Sequence, residues 1–265
     1  MRRIVIAISL FLSLSVCAQT LSTIQQAEFT HKVQSLYYSQ RSHGLSLYFC
    51  RVRPDWASLP AGLRTADVPL NLDLLSEVSL RMKLTADSDV DFSQIYPDGF
   101  PDNQKAAYKN EINTYSQYLQ LLIYAVEATT MDGPLAAQEG EWTIEKTTDG
   151  YIARLKNPDV TVAIDQNYHV TKFIAQYSES NTRLELTPVY KSTPEGLLLD
   201  SSAGLLTIGK NNVPFHFDLT YQTIEGLNVL DSAHLTIPPI VDTDARFTDY
   251  TIEKAAAPAK GGVKK

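Results

Sequence analysis

The stretch VPFHFDLTYQTIEGLNVLDSAHLTI, Val213 to Ile237, alternates apolar and polar residues on both sides of Glu225-Gly226. Period-two alternation marks strands with one buried face, and a glycine between two such runs marks a hairpin. A three-residue loop Ile224-Glu225-Gly226, with Gly226 left-handed, pairs Thr223 with Leu227. This register sets Phe215 against Leu235, Phe217 against Ala233 and Tyr221 against Val229 on the apolar face. On the other face it sets His216 directly against His234 and Asp218 against Ser232. Imidazole suits zinc or copper, so His216, His234 and Asp218 form a candidate metal site. The competing reading is a wet sheet face, since a metal also needs a third ligand and outer support. One cost is visible: Asp231 falls on the apolar face opposite Leu219, where a carboxylate has to reach solvent or find a partner.

The same alternation extends through most of the later chain. Trp142 to Glu145 and Ala153 to Lys156 flank Asp149-Gly150, and a two-residue turn there pairs Ile144 with Leu155 and Glu145 with Arg154. Val160, Val162 and Ile164 meet Tyr168, Val170 and Ile174 across Gln166-Asn167, where Asn tolerates a left-handed backbone. Further strands are predicted at 183–190, 196–201, 204–209, 213–222, 227–237 and 247–253. Two early strands cover 44–52, ended by Pro54, and 78–85, with Val78, Leu80, Met82 and Leu84 on one side.

Helical spacing is confined to the first half. Ser22 or Thr23 caps a helix carrying Phe29, Val33, Leu36 and Tyr37, and a short helix is possible within 67–76. A long helix runs from Asp102 to about Thr130, with Tyr108, Ile112, Tyr115, Leu119, Leu122, Ile123 and Val126 on one stripe. Asp132-Gly133-Pro134 stops it. The fold class is therefore α+β: a large curved antiparallel sheet, half-open and barrel-like, covered by N-terminal helices. Where helices leave such a concave face unfilled, an apolar pocket remains. Tyr108, Tyr115, Leu119, Phe215, Phe217 and Tyr221 are the candidates to line it.

The chain opens MRRIVIAISLFLSLSVCAQT, with a basic start, an apolar run from Ile4 to Val16 and a small-residue cleavage site at Val16-Cys17-Ala18. Residues 1–18 read as a signal peptide, 19–254 as a single α+β domain and 255–265 as a disordered Ala/Pro/Lys tail. The mature protein is expected to be periplasmic or secreted. Leu14-Ser15-Val16-Cys17 also has the outline of a lipoprotein box in which Cys17 would be acylated, but Val16 is bulky where that processing uses a small residue. With Cys17 removed, Cys50 is the only cysteine and no internal disulfide can form.

The chain has 265 residues and a formal net charge of −7. Arg2, Arg3 and four lysines from Lys254 onward lie at its two ends, so the body between them is more acidic still. Such a surface argues against nucleic acid and against anionic lipid held by a basic patch. Asp87-Ser88-Asp89-Val90-Asp91, with Asp98 further on, matches ligand positions 1, 3, 5 and 12 of a calcium loop. Phe92 stands where that loop needs Gly, and Asp98 where a bidentate Glu is usual. Tyr168 and Lys172 have a Tyr-x-x-x-Lys spacing, but on a strand and without a Gly-rich dinucleotide loop. The sequence holds no G-x-S-x-G elbow, H-E-x-x-H helix, P-loop or paired C-x-x-C, and it implies no cofactor.

The leading helix, the second long helix and the run of hairpins, seen at Val160 to Ile174, Gly196-Leu197-Leu198-Leu199 and the hairpin through Gly226, resemble the periplasmic lipoprotein-carrier and lipoprotein-receptor (LolA/LolB-like) family. The resemblance covers the last half of the mature chain, at the level of element order. It implies a curved sheet closed by helices around an apolar hollow that holds acyl chains. The acidic segment from Asp87 to Asp102 departs from it. The expected function is non-enzymatic binding of an apolar small molecule or a lipidated peptide or protein. An envelope protein engaged by the wet sheet face or the acidic loop, with no ligand, is the alternative; a metal-dependent hydrolase is the third reading.

Overall fold

The computed structural model describes residues 19–58, 71–85, 90–136, 142–156, 159–177 and 180–255. Residues 1–18, read above as a signal peptide, and 256–265, read above as part of the tail, lie outside them. In chain order the elements are β1 (Gln19–Thr20), α1 (Thr23–Gln34), β2 (Leu45–Pro54), α2 (Leu72–Ser76), β3 (Ser79–Thr85), β4 (Val90–Ile95) and α3 (Asp102–Val126). There follow β5 (Thr143–Lys146), β6 (Gly150–Leu155), β7 (Asp159–Asp165), β8 (Val170–Tyr177), β9 (Thr182–Thr193), β10 (Gly196–Ile208), β11 (Asn211–Ile224), β12 (Leu227–Ile237) and β13 (Val241–Lys254). All strands join one open antiparallel sheet in the order β1-β5-β6-β7-β8-β9-β10-β11-β12-β13-β2-β3-β4. Each strand from β5 to β13 pairs with its successor, so the late half is a continuous meander.

Two helices pack on the sheet through separate cores. Ser22 caps α1 through a complete capping box with Gln25. The helix lays Phe29 and Val33 on Ile144, Ala153, Val162 and Ile164 of β5 to β7. The longer α3 starts after Pro101 with no side-chain cap, and Asp102 pairs with Lys105 in its first turn. Its stripe of Tyr108, Ile112, Tyr115, Leu119, Leu122, Ile123 and Val126 packs on β2, β3 and β9 to β13. Burying each large apolar side chain contributes about 1.5–3 kcal/mol, so Ile112→Ala at the centre of the stripe should cost about 2–5 kcal/mol. The helix closes in a wide π turn, Glu127–Met131, and the chain reverses at Gly133 with φ 78°.

The central hairpin differs from the expected register. Its loop has two residues, Glu225 and Gly226, both left-handed at φ 51° and 78°, and Ile224 pairs with Leu227. Carried unbroken up the ladder, this turn would set Phe217 against His234 and mix the two faces. A β-bulge at Asp231 inserts one residue, so Phe217 meets Leu235 and Leu219 meets Ala233. Asp231 is exposed on the bulge, and the buried carboxylate expected there does not arise.

Bulges recur at aspartates. Asp200 is the extra residue of β10 against β9, and the stretches expected at 196–201 and 204–209 are one strand, since Ser202 and Ala203 stay paired with Pro188 and Thr187. Asp249, at φ 54°, lies in the bulge of β13 against β2 and pairs with Arg51 at 3.3 Å. Each bulge bends its strand and raises the local twist, which curves the sheet.

Two other turns are corrected. The first hairpin pairs Lys146 with Tyr151, so Thr147 to Gly150 form the turn. Glu145 and Arg154 are not paired in the ladder but still meet diagonally at 2.6 Å. Gly150, at φ 149°, has the backbone of Ile164 and Asp165 where a Cβ would be, so close strand approach fixes this residue. In the second, Tyr168 and not Asn167 is left-handed, at φ 69°, with the Asp165 carboxylate accepting from the amides of Asn167 and His169.

Only part of the acidic segment is described. Asp91 sits on β4, paired with Lys83, and Asp98 lies in the turn before α3. Asp87 and Asp89 lie outside the described residues. Residues 90–95 form a strand, in which Val90, Phe92 and Gln94 continue the alternation of β3.

Candidate functional site

The two cores leave a seam. The α1 core ends at Leu155, Val160 and Ala175, and the α3 core begins at Leu184 and Leu186. Phe173 and Tyr190 touch both. Along this seam, over β7 to β9 between the two cores, two adjoining clefts open. One, of about 420 Å³, lies between Gln117, Gln120, Leu121 and Tyr124 of α3 and Tyr177, Thr182, Leu184 and Leu206 of the sheet. The other, of about 260 Å³, continues beneath the π turn between Glu127, Ala128 and Leu135 on one side and Trp142, Leu155, Val160 and Phe173 on the other.

Tyr124, Tyr177 and Leu184 belong to both clefts, so the two form one groove. The tyrosines stand at its rim, 41% and 45% exposed. Desolvation pushes the Tyr177 phenol above its ordinary pKa, and Tyr124 and the Glu127 carboxylate add to the shift. The walls are mostly apolar, with carboxylates from Glu127 and Asp132 and no Lys, Arg or His among the described lining residues. Asp132 is ion-paired with Arg41 outside the groove. Burial raises the Asp132 pKa, although Arg41 pulls it back.

The residues expected to line a hollow are elsewhere. Tyr108, Tyr115, Leu119, Phe215 and Phe217 are packed inside the α3 core, and Tyr221 packs against it. None of the six lines the groove. They are the dry interface of helix and sheet, and the unfilled space begins after them, at the C-terminal end of α3. The signal for it was the run Leu121-Leu122-Ile123-Tyr124-Ala125-Val126, where the apolar stripe spreads around the helix further than one packed face requires.

His216 and His234 share the outer polar face but are diagonal: His216 pairs with Thr236, and Asp218 pairs with His234. His216 contacts Asp218 at 3.2 Å, while His234 lies between Asp244 at 2.9 Å and Asp242 at 3.2 Å. Among the described residues no group of three or more His, Cys, Asp or Glu side chains is placed to hold a metal ion. Cys50 is buried, and burial pushes its thiol up to about 12, which leaves it protonated and unreactive at neutral pH. Among the described residues no helix is long and apolar enough to cross a membrane.

Comparison of the chain with protein-family models, curated proteins and solved structures finds no match.

Proposed function

We propose that this is an exported, non-enzymatic binding protein that takes an apolar or amphipathic ligand, a lipid or the lipid of a lipidated peptide, into the groove between the two cores. The single observation that carries the reading is the seam itself: a mostly apolar groove on the sheet between the core packed by α1 and the core packed by α3. Protein interiors are filled to crystal-like density, so a continuous apolar gap of this size is a binding feature before it is a packing fault. Tyr124 and Tyr177 at the rim suit a ligand that is apolar inside and wet outside. In this reading the curved sheet acts as a half-open barrel that the N-terminal helices close only in part, and the chain works in the periplasm or outside the cell.

The test is binding of the uncharged probe N-phenyl-1-naphthylamine, followed by its fluorescence, to the wild type and to Ala128→Phe, which fills the groove beneath the π turn. Binding should weaken about tenfold or more in the variant, the equivalent of losing about 1.4 kcal/mol of contact, while the melting temperature holds. Mass spectrometry of an organic extract of the natively purified protein then identifies what it carries. Probe binding that is absent from the wild type, or unchanged in Ala128→Phe, removes the groove as the site.

A further inference from the structure

A separate cleft of about 380 Å³ lies between α1, the β5–β6 hairpin and the turn from β7 to β8, and shares no lining residue with the groove. Lys146 stands directly opposite Tyr151 in the hairpin ladder, so both side chains leave the sheet on the face that carries α1. Lys32 reaches the cleft from α1 and Tyr168 from the turn. The lysine over the Tyr168 ring is thus Lys32, with Nζ 3.9 Å from the centroid, and not Lys172, which is paired with Glu185.

The turn is built to present Tyr168. Its backbone is left-handed at φ 69°, a conformation that a large side chain holds only where the surroundings impose it, as they do at ligand sites. Here the Asp165 carboxylate accepts from the amides of Asn167 and His169, and the Tyr37 hydroxyl accepts from the Val170 amide at 2.6 Å. The result is a Tyr168 ring stacked on Tyr151, with centroids 5.8 Å apart and planes 19° apart. The Tyr168 oxygen accepts from Lys32 and Tyr151, which leaves its own proton free to donate. The Lys32 hydrogen bond lowers the pKa of this phenol against desolvation, and Tyr151 and the charge of Lys146 add to the effect.

The cleft has a surplus of donors. Besides the ammoniums and phenols it is lined by Gln25, whose side-chain oxygen is already taken by Ser22. Glu28 is the one carboxylate in the described lining, and among the described residues neither Lys32 nor Lys146 is ion-paired. Both lysines are exposed and both tyrosines half-buried, so a solute reaches all four. Two ammoniums and a phenol proton suit a group with more charge and more acceptors than a carboxylate. A phosphate ester carries a charge of about −1.5 to −2 at pH 7 and three strong acceptor oxygens.

We propose that this cleft binds the phosphate group of a phosphate monoester, held by the ammoniums of Lys32 and Lys146 and by the Tyr168 hydroxyl. Glu28 opposes the ligand and limits its affinity.

The experiment is calorimetric titration of the purified protein near pH 7.5 with glycerol 3-phosphate, with acetate, and with the soluble lipid dihexanoylphosphatidic acid. Glycerol 3-phosphate should bind at least about tenfold more tightly than acetate. Lys32→Gln and Lys146→Gln should each weaken it about tenfold, and Glu28→Gln should tighten it about threefold. Ala128→Phe, in the groove, should leave it unchanged. In protein labelled with 13C-tyrosine, the Tyr168 Cζ titration should move to higher pH when the phosphate is bound, because a neighbouring dianion disfavours the phenolate. Tighter binding of the phosphatidic acid than of glycerol 3-phosphate supports the site with a lipid headgroup as the source, and equal binding supports it with a soluble ester. Acetate binding as tightly as glycerol 3-phosphate overturns the phosphate assignment. The site itself falls if neither phosphate binds saturably, if both lysine variants bind as the wild type does, or if the Tyr168 titration stays in place.

Discussion

Asp218 stands directly opposite His234 across β11 and β12, where symmetric pairing from a three-residue loop would have placed His216. His234 is thereby one imidazole among the carboxylates of Asp242 and Asp244, on an exposed face. Ion pairs in that setting contribute about 0–1 kcal/mol. His234→Ala should therefore change stability by less than about 1 kcal/mol in chemical denaturation. Calorimetric titration with zinc should give no saturable heat. A one-to-one isotherm that disappears in His234→Ala would restore the metal reading.

The sheet, its antiparallel order and the two helices packed on it are legible because side-chain period is a direct consequence of burying one face. Register is not, and the hairpin at Glu225 shows why. Three-residue and two-residue loops both fit Ile224-Glu225-Gly226, and the bulge that reconciles the shorter one with the apolar pattern sits at Asp231, whose burial was the visible cost of the longer one. The groove was hidden for a different reason. Tyr124, Trp142 and Tyr177 come from three separate stretches of chain, and the gap they surround depends on where two cores stop, which the widened apolar run at 121–126 hints at but does not locate. Tyr108, Tyr115 and Phe217 were legible as apolar positions but not as filled ones.

The short hairpin loop gives a stability prediction. Glu225 holds a left-handed φ of 51°. A left-handed residue other than Gly, Asn or Asp costs about 1–2 kcal/mol, and Asn-Gly is the favoured pair for this turn. Glu225→Asn should raise stability by about 0.5–1 kcal/mol. The Lys254 ammonium donates to the Glu225 backbone carbonyl at 2.6 Å, a contact the substitution keeps. An unchanged or lower melting temperature would mean that the loop is not of the two-residue type.

Gly204 pairs with Phe215 across β10 and β11, and the Phe215 ring lies over it where a Cβ would be. The ring in turn stacks on Phe217, with centroids 6.3 Å apart and planes 13° apart. Gly204→Ala forces the ring out of this position and should destabilise by about 1–3 kcal/mol. Phe215→Leu frees the space, so the double variant should cost less than the two single variants together, with a coupling of about 0.5–3 kcal/mol. Additive losses would show that the ring and the glycine are energetically independent.

Alkaline pH should unfold the protein through its buried tyrosines and Cys50. Burial pushes the phenols of Tyr48, Tyr190, Tyr221 and Tyr250 above the ordinary range, and the Tyr37 phenol and the Cys50 thiol up to about 12. In the unfolded chain the thiol ionises near about 8.5 and the phenols near about 10. Below those values both states are neutral and stability is unaffected. As pH rises toward 12, the unfolded chain releases protons that the folded one retains, and stability falls by up to about 1.4 kcal/mol per pH unit for each such group. Absorbance at 295 nm should therefore rise together with the loss of near-ultraviolet circular dichroism, in one cooperative step. Tyr168 is the exception, since a hydrogen bond from Lys32 lowers its phenol, and it should ionise before the transition in the folded protein. Tyr190→Phe provides the control. Its hydroxyl is buried with no hydrogen-bond partner, so removing it should stabilise the protein by about 1 kcal/mol at neutral pH and flatten the alkaline decline. Tyrosinate absorbance that climbs near pH 10 with the dichroism intact would show that these phenols are reached by water in the folded state.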